Sequence, residues 1–108
     1  MTIRPFEIWK CLAPGFERAN WFVIISGAER CASEKQRLVN ALACFKLQGD
    51  TSKTDVRLYG ADGFEGATAC QCDFLYSLSK AKLHDKIGVV TWERQQQIKA
   101  RIKEVFRF

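Results

Sequence analysis

The sequence predicts an α+β fold: a small, strongly bent, mostly antiparallel β-sheet or open barrel, closed off by a C-terminal α-helix. Three observations carry this. Ala67 to Ser79, ATACQCDFLYSLS, has the clearest period-two pattern in the chain. Trp21 to Ser26, WFVIIS, is a continuous run of aromatic and β-branched residues, the signature of a fully buried strand. Thr91 onward, TWERQQQIKARIKEVFRF, switches to helical periodicity. A run of strands followed by one helix is an α+β arrangement.

Taken in order, residues 4–12 (RPFEIWKCL) place Phe6, Ile8 and Lys10 on one face and Glu7, Trp9 and Cys11 on the other. Apolar groups on both faces predict a strand covered on both sides, or one at a subunit interface. Pro14-Gly15 breaks it, and residues 16–20 form a loop before the buried strand at Trp21. Residues 27–36 are polar and irregular, with room for one helical turn. Arg37 to Leu47, RLVNALACFKL, is expected to be a third strand; helix competes, because Leu, Ala and Lys favour it. QGDTSK at 48–53 is a loop. In Asp55 to Tyr59, Val56 and Leu58 alternate with Asp55, Arg57 and Tyr59, so a half-exposed strand is predicted. Residues 60–63 turn the chain.

If 67–79 is one strand, Thr68, Cys70, Cys72, Phe74, Tyr76 and Leu78 share a face, with Gln71, Asp73, Ser77 and Ser79 opposite, interrupted by Leu75. Ile87 to Val90 is a short strand candidate. In the closing helix Thr91 is the N-cap candidate and Glu93 suits the first turn. Ile98, Ile102 and Val105 form its apolar stripe, with Lys99, Arg101, Lys103 and Arg107 on the other side.

The 108 residues suit one domain, 1–108. Hydrophobic content is 47% and charged content 27%, the balance of a soluble globular protein. No window is apolar for long enough to span a membrane, and MTIRPFEIW lacks the apolar run of a signal peptide. A cytoplasmic protein with no membrane association is expected. Cys11, Cys31, Cys44, Cys70 and Cys72 form no CxxC pair, and His84 is the single histidine. A zinc site would need an unusual ligand set, so free cysteines serving as small buried hydrophobes in a reducing compartment are the expectation. The net charge of +5 is compatible with a nucleic-acid or acidic-protein partner.

Pro5-Phe6-Glu7-Ile8-Trp9, Trp21-Phe22-Val23-Ile24-Ile25-Ser26 and then, in order, Asp62-Gly63 through Cys72-Asp73, Ser79-Lys80, Lys86-Ile87-Gly88 and Gln97-Ile98 resemble the MazF/PemK toxins of type II toxin–antitoxin systems, whose fold is shared with the CcdB gyrase poisons. The first stretch is similar to the family's opening Gly-Asp/Glu-Ile-Trp, the second to its Arg-Pro-Ala-Val-Val-Leu-Ser. The ordered combination over nearly the whole chain carries the resemblance, not any one motif. It implies a homodimeric, metal-independent endoribonuclease without a cofactor. Such an enzyme cuts single-stranded RNA and is neutralised by an antitoxin protein lying along it. It also implies that an Arg stabilises the scissile phosphate, that a Thr or Ser helps place the RNA, and that the 2′-OH is the nucleophile.

On this resemblance the family's arginine falls on Asn20 and the following proline on Trp21, with Arg18 two residues earlier in the loop. Its Thr/Ser falls around Ala43, Cys44 or Phe45, none of them a hydroxyl residue. The implied catalytic candidates are therefore Arg18, Asn20 and Cys44, with a solvated Arg18 and a core Cys44 as the alternatives. Arg30, Lys35, Lys46 and Lys53 lie where the family surrounds its RNA groove; ordinary surface charge is the other reading. Trp9 and Trp21 are expected as core or interface anchors rather than base-stacking platforms, and His84 as an exposed residue; Asp73 either helps shape the dimer surface, as the resemblance implies, or is solvated. A second function stays open on the same fold: a binding protein without ribonuclease chemistry, or a CcdB-like gyrase inhibitor using the terminal Phe106-Arg107-Phe108.

Overall fold

The computed structural model describes residues 2–107. Seven strands form one sheet: β1 Glu7–Cys11, β2 Asn20–Ile24, β3 Leu38–Lys46, β4 Asp55–Leu58, β5 Thr68–Gln71, β6 Tyr76–Ser79 and β7 His84–Val89. A short helix α1, Ala28–Ala32, follows β2, and α2, Trp92–Phe106, ends the described chain. Gly60–Asp62 and Lys80–Lys82 are single 3₁₀ turns. The order is β4-β5-β3-β2-β1-β7, with β6 also on β3, and every pairing is antiparallel. The path does not close on itself, so the sheet is open, with β4 and β7 at its edges.

Residues 37–47 form a strand despite good helix formers, because both faces and both edges of β3 are used. Val39, Ala41 and Ala43 face one core while Leu42 and Cys44 face another. Its backbone pairs with β2 on one edge and with β5 and β6 on the other. Burial on both faces erases the polar alternation that would have announced it.

The expected single strand at 67–79 is two. Cys44 pairs with Cys70; were that register continued, Ala41 would meet Asp73, yet it meets Tyr76. The chain leaves the ladder over 72–75 and rejoins it an odd number of residues later, which reverses the face of every side chain beyond. Cys70 and Cys72 thus join the core under α2, whereas Leu78 and Tyr76 belong to the opposite core. Phe74 and Leu75 are turned out to solvent. The shared face predicted for Thr68 through Leu78 is therefore wrong: two-fold alternation in sequence does not register a bulge.

One core contains Trp9, Phe22, Ile24 and Leu78 beneath α1 and the β1–β2 loop; the other contains Ile8, Val23, Leu42, Val56 and Ile98 beneath α2. Both faces of β1 and β2 are buried, as their apolar residues on both sides required. Thr91 occupies the N-cap position of α2, but its hydroxyl makes no cap bond. Its backbone N–H instead donates to Asp62 Oδ1 at 2.8 Å. Asp62 Oδ2 accepts from the Tyr59 N–H at 2.9 Å. This buried carboxylate ties the end of β4 to the start of α2. Gly63 and Gly88 let the same loop press onto β7, because each lies where a β carbon would strike the other segment's backbone.

Candidate nucleic-acid interface

At the β1–β2 loop, Phe16, Glu17, Arg18, Ala19, Asn20 and Phe45 line one shallow groove. Pro14-Gly15 turns the chain, with Gly15 at φ 86° and Phe16 N–H donating to the Ala13 carbonyl at 3.1 Å. Phe16 then packs edge-on against Phe22 and Tyr76, with centroids 5.6 and 5.3 Å away, anchoring the loop on the core. The aromatic series continues to the surface through Phe74, 4.8 Å from Tyr76 and 55% exposed.

Arg18 is exposed and, among the described residues, has no ion-pair partner. Asn20 opens β2 opposite Cys11, and its amide nitrogen is buried without a hydrogen-bond partner. A buried donor left unpaired costs about 1–3 kcal/mol, which a bound acceptor oxygen would recover. A free guanidinium and an unpaired amide suit a phosphate, and the exposed Phe45 ring beside them suits a base. Two of the three catalytic candidates thus meet in one groove.

Cys44 does not join them. It is 2% exposed, on the face opposite Phe45, packed with Cys70 and Cys72 under α2. Hydrogen bonding to Cys44, with burial added, pushes the Cys70 thiol well above the ordinary thiol range. Cys72 is pushed up in the same direction by its hydrogen bond with Cys70 and by burial. Burial likewise raises Cys11 and Cys31. Protonated, buried thiols are poor nucleophiles and poor metal ligands. Among the described residues, no group of three or more His, Cys, Asp or Glu side chains is placed to hold a metal ion.

The four basic candidates do not form one patch. Arg30 Nη1 donates to the Leu38 carbonyl at 3.0 Å, and the Lys35 N–H donates to Ser33 Oγ at 3.3 Å, both at the N-terminal end of β3. Lys46 ends the same nine-residue strand, about 26 Å away at ~3.3 Å per residue, and lines a separate groove with Glu65. Lys53 lies in the β3–β4 loop, where its carbonyl accepts from Arg101 of α2. Trp9 is a core residue, and Trp21 packs half-buried beneath Lys10, whose ammonium stands 5.4 Å from the ring centroid. His84 and Asp73 are exposed, with His84 Nδ1 2.9 Å from Asp85 Oδ2. Of the terminal Phe106-Arg107-Phe108, Phe108 lies outside the described residues.

Sequence reasoning missed a second aromatic and cationic cluster. Arg94 stands 4.9 Å from the centroid of Tyr59 and Arg57 stands 6.0 Å from it, so the ring is flanked by two guanidiniums. Trp92, at the start of α2, is 71% exposed and shares a groove with Tyr59 and Arg94. The alternation in 55–59 already placed Arg57 and Tyr59 on one face; what it could not show is that α2 begins beside them.

No protein-family model and no curated protein matches the sequence. Solved structures do match in fold. An endoribonuclease bound to its cognate antitoxin, from a mycobacterial species, is 20% identical at a TM-score of 0.78, over 99% of this chain and 95% of that one. A mycobacterial endoribonuclease gives 19% and 0.79, over 100% and 94%. The MazE–MazF complex of Deinococcus radiodurans gives 12% and 0.77, over 100% and 99%. Across its whole length, then, this chain is built on the fold of the MazF toxins.

Proposed function

We propose that the protein is a MazF/PemK-like toxin: a metal-independent endoribonuclease for single-stranded RNA. It acts in the cytoplasm as a homodimer and is neutralised by an antitoxin protein. One observation supports this most directly. The groove at the β1–β2 loop puts an unpaired guanidinium, Arg18, beside an unsatisfied buried amide, Asn20, and an exposed ring, Phe45. The whole-length likeness to endoribonucleases, one of them bound to its antitoxin, supports it further.

In this reading the RNA 2′-OH attacks the adjacent phosphorus. A 2′-O–P bond forms and the P–O5′ bond breaks, giving a 2′,3′-cyclic phosphate and a 5′-hydroxyl. Arg18 carries the charge that grows on the phosphoryl oxygens, and the Asn20 amide donates to one of them. Glu17 is the one acid–base side chain among the groove residues, so it accepts the 2′-OH proton and, protonated, gives that proton to the departing 5′ oxygen. The missing hydroxyl near the end of β3 is not replaced by Cys44, which faces the other core; Phe45 takes its place in the groove and offers a base a stacking surface.

The test is incubation of purified protein with a long single-stranded RNA in EDTA. Fragments with cyclic-phosphate and 5′-hydroxyl ends are expected. RNA that stays intact while remaining bound would point to a non-catalytic RNA-binding protein; RNA that neither binds nor is cut would refute the ribonuclease reading.

A further inference from the structure

The groove at Arg18 and the cluster at Tyr59 are joined by the sheet. Arg57 of β4 pairs with Ala69 of β5, and Ala69 pairs with Phe45 of β3, so these side chains share one face in one row across the strands. Phe45 in turn shares its groove with Arg18 and Asn20. Ala69, the small residue between two large ones, is buried, so the exposed surface of the row is formed by Phe45 and Arg57. From Arg57 the row turns at the sheet edge to Tyr59, whose hydroxyl accepts from Arg57 Nη1 at 3.4 Å. Arg94 stands 4.9 Å from the centroid of the same ring, and Trp92 shares the groove with both.

We propose that this row is an extended binding track for single-stranded nucleic acid, running from Arg18 over Phe45 and Arg57 to Tyr59, Arg94 and Trp92. The inference rests on the nucleic-acid reading of the Arg18 groove and adds a second contact site to it. Three guanidiniums are interleaved with three exposed or half-exposed rings. That is the composition which holds phosphates and stacks bases without reading their sequence. At about 4.8 Å per strand spacing, β3 to β4 alone covers about 10 Å. Glu17 and Glu93 flank the two ends and Asp55 lies one row aside, opposite Gln71. The cations within the row are therefore not neutralised by one of its members, and an anionic strand is the occupant that the charge favours.

Oligothymidylates test this without cleavage, since they lack the 2′-OH. Binding is measured for short (about 4-nucleotide) and long (about 16-nucleotide) strands, with tryptophan emission as a second readout. Long strands are expected to bind at least about 10-fold tighter and to quench emission that Trp92→Ala removes. Trp92→Ala should weaken long strands about 10-fold and leave short ones unchanged. Arg94→Ala should lower the salt slope of long-strand binding by about 0.7. Arg18→Ala should weaken both lengths. Equal binding of the two lengths, with Trp92→Ala silent and Arg18→Ala effective, would overturn the track and spare the groove. Failure of both lengths to bind would remove the groove reading and the track with it. Quenching of Trp92 by polyglutamate but not by long oligothymidylate would assign the surface to an acidic polypeptide and overturn the proposal.

Discussion

Gly63 and Gly88 meet backbone to backbone. A β carbon on Gly88 would lie 2.5 Å from the Asp62 carbonyl oxygen, and one on Gly63 would lie 2.7 Å from that of Ile87. Neither obstacle is a flexible side chain, so neither can swing aside. Gly88→Ala should therefore destabilise the protein by about 2 kcal/mol or more, read as a lower urea midpoint with an unchanged slope. Because the same loop carries Asp62, the variant should also loosen Tyr59 from Arg94, detectable as faster exchange of the Tyr59 and Thr91 amide protons.

Glu7 gives the stability a defined acid dependence. Burial acts to raise its pKa, but hydrogen bonds from the Arg4 amide (2.7 Å), Lys86 (3.1 Å) and the Trp9 indole (3.1 Å), with the Lys86 charge, outweigh it and hold the carboxyl below its ordinary value. A carboxylate depressed in the folded state adds stability above its unfolded pKa, about 4.3, and loses it as pH falls toward the folded value. Glu7→Gln should lower stability at pH 7 by about 1–3 kcal/mol and flatten the fall below pH ~4.3, as followed by denaturant titration at several pH values.

Arg18→Ala should reduce RNA cleavage about 100-fold or more if its guanidinium stabilises the phosphoryl charge, with the melting temperature unchanged because the side chain is exposed. Glu17→Gln should cost a similar factor, also without loss of thermal stability. Single-turnover cleavage of a fluorescent RNA by each variant measures both effects. A Glu17→Gln protein that cuts at the parent rate would remove the carboxylate from the mechanism.

All five cysteines are buried and free, and four of their thiols are held on the protonated side. Native protein should react with a disulfide reagent far more slowly than protein in guanidinium, with no fast phase. Cys44→Ala should cost about 1 kcal/mol of stability and leave the rate of any RNA cleavage within a few-fold of the parent. A large loss of cleavage in a folded Cys44→Ala protein would return that thiol to the active groove.

Most strands and the C-terminal helix were legible because periodicity and apolar runs report burial directly. FVI is buried in β2, and Ile98 is buried on the inner face of α2, for the reasons that their patterns suggest. The break at 72–75 was not legible. Alternation on both sides of it is intact, and an offset between two alternating segments is fixed only by the partner strand. The site was half legible: Arg18 and Asn20 are close in sequence and so close in space. Phe45 and Cys44 are neighbours in sequence but face opposite cores, and deciding between them needed the register with β5. The Tyr59–Arg94 contact joins residues far apart in the chain through Asp62, a buried carboxylate that reads in the sequence as a turn residue.

The reversal of faces between β5 and β6 has a consequence for how the molecule comes apart. One stretch of backbone gives Cys70 to the layer beneath α2 and Leu78 to the layer beneath α1, and both halves are zipped to the same strand, β3. Neither layer can dissolve without pulling on the ladder that holds the other. The two layers should melt as a single cooperative unit, with amide protons of β3 exchanging only through global unfolding. Opening confined to one part should occur only outside that ladder, in connecting segments such as residues 47–54, while Phe16 keeps the β1–β2 loop and the Arg18 groove pinned to the core.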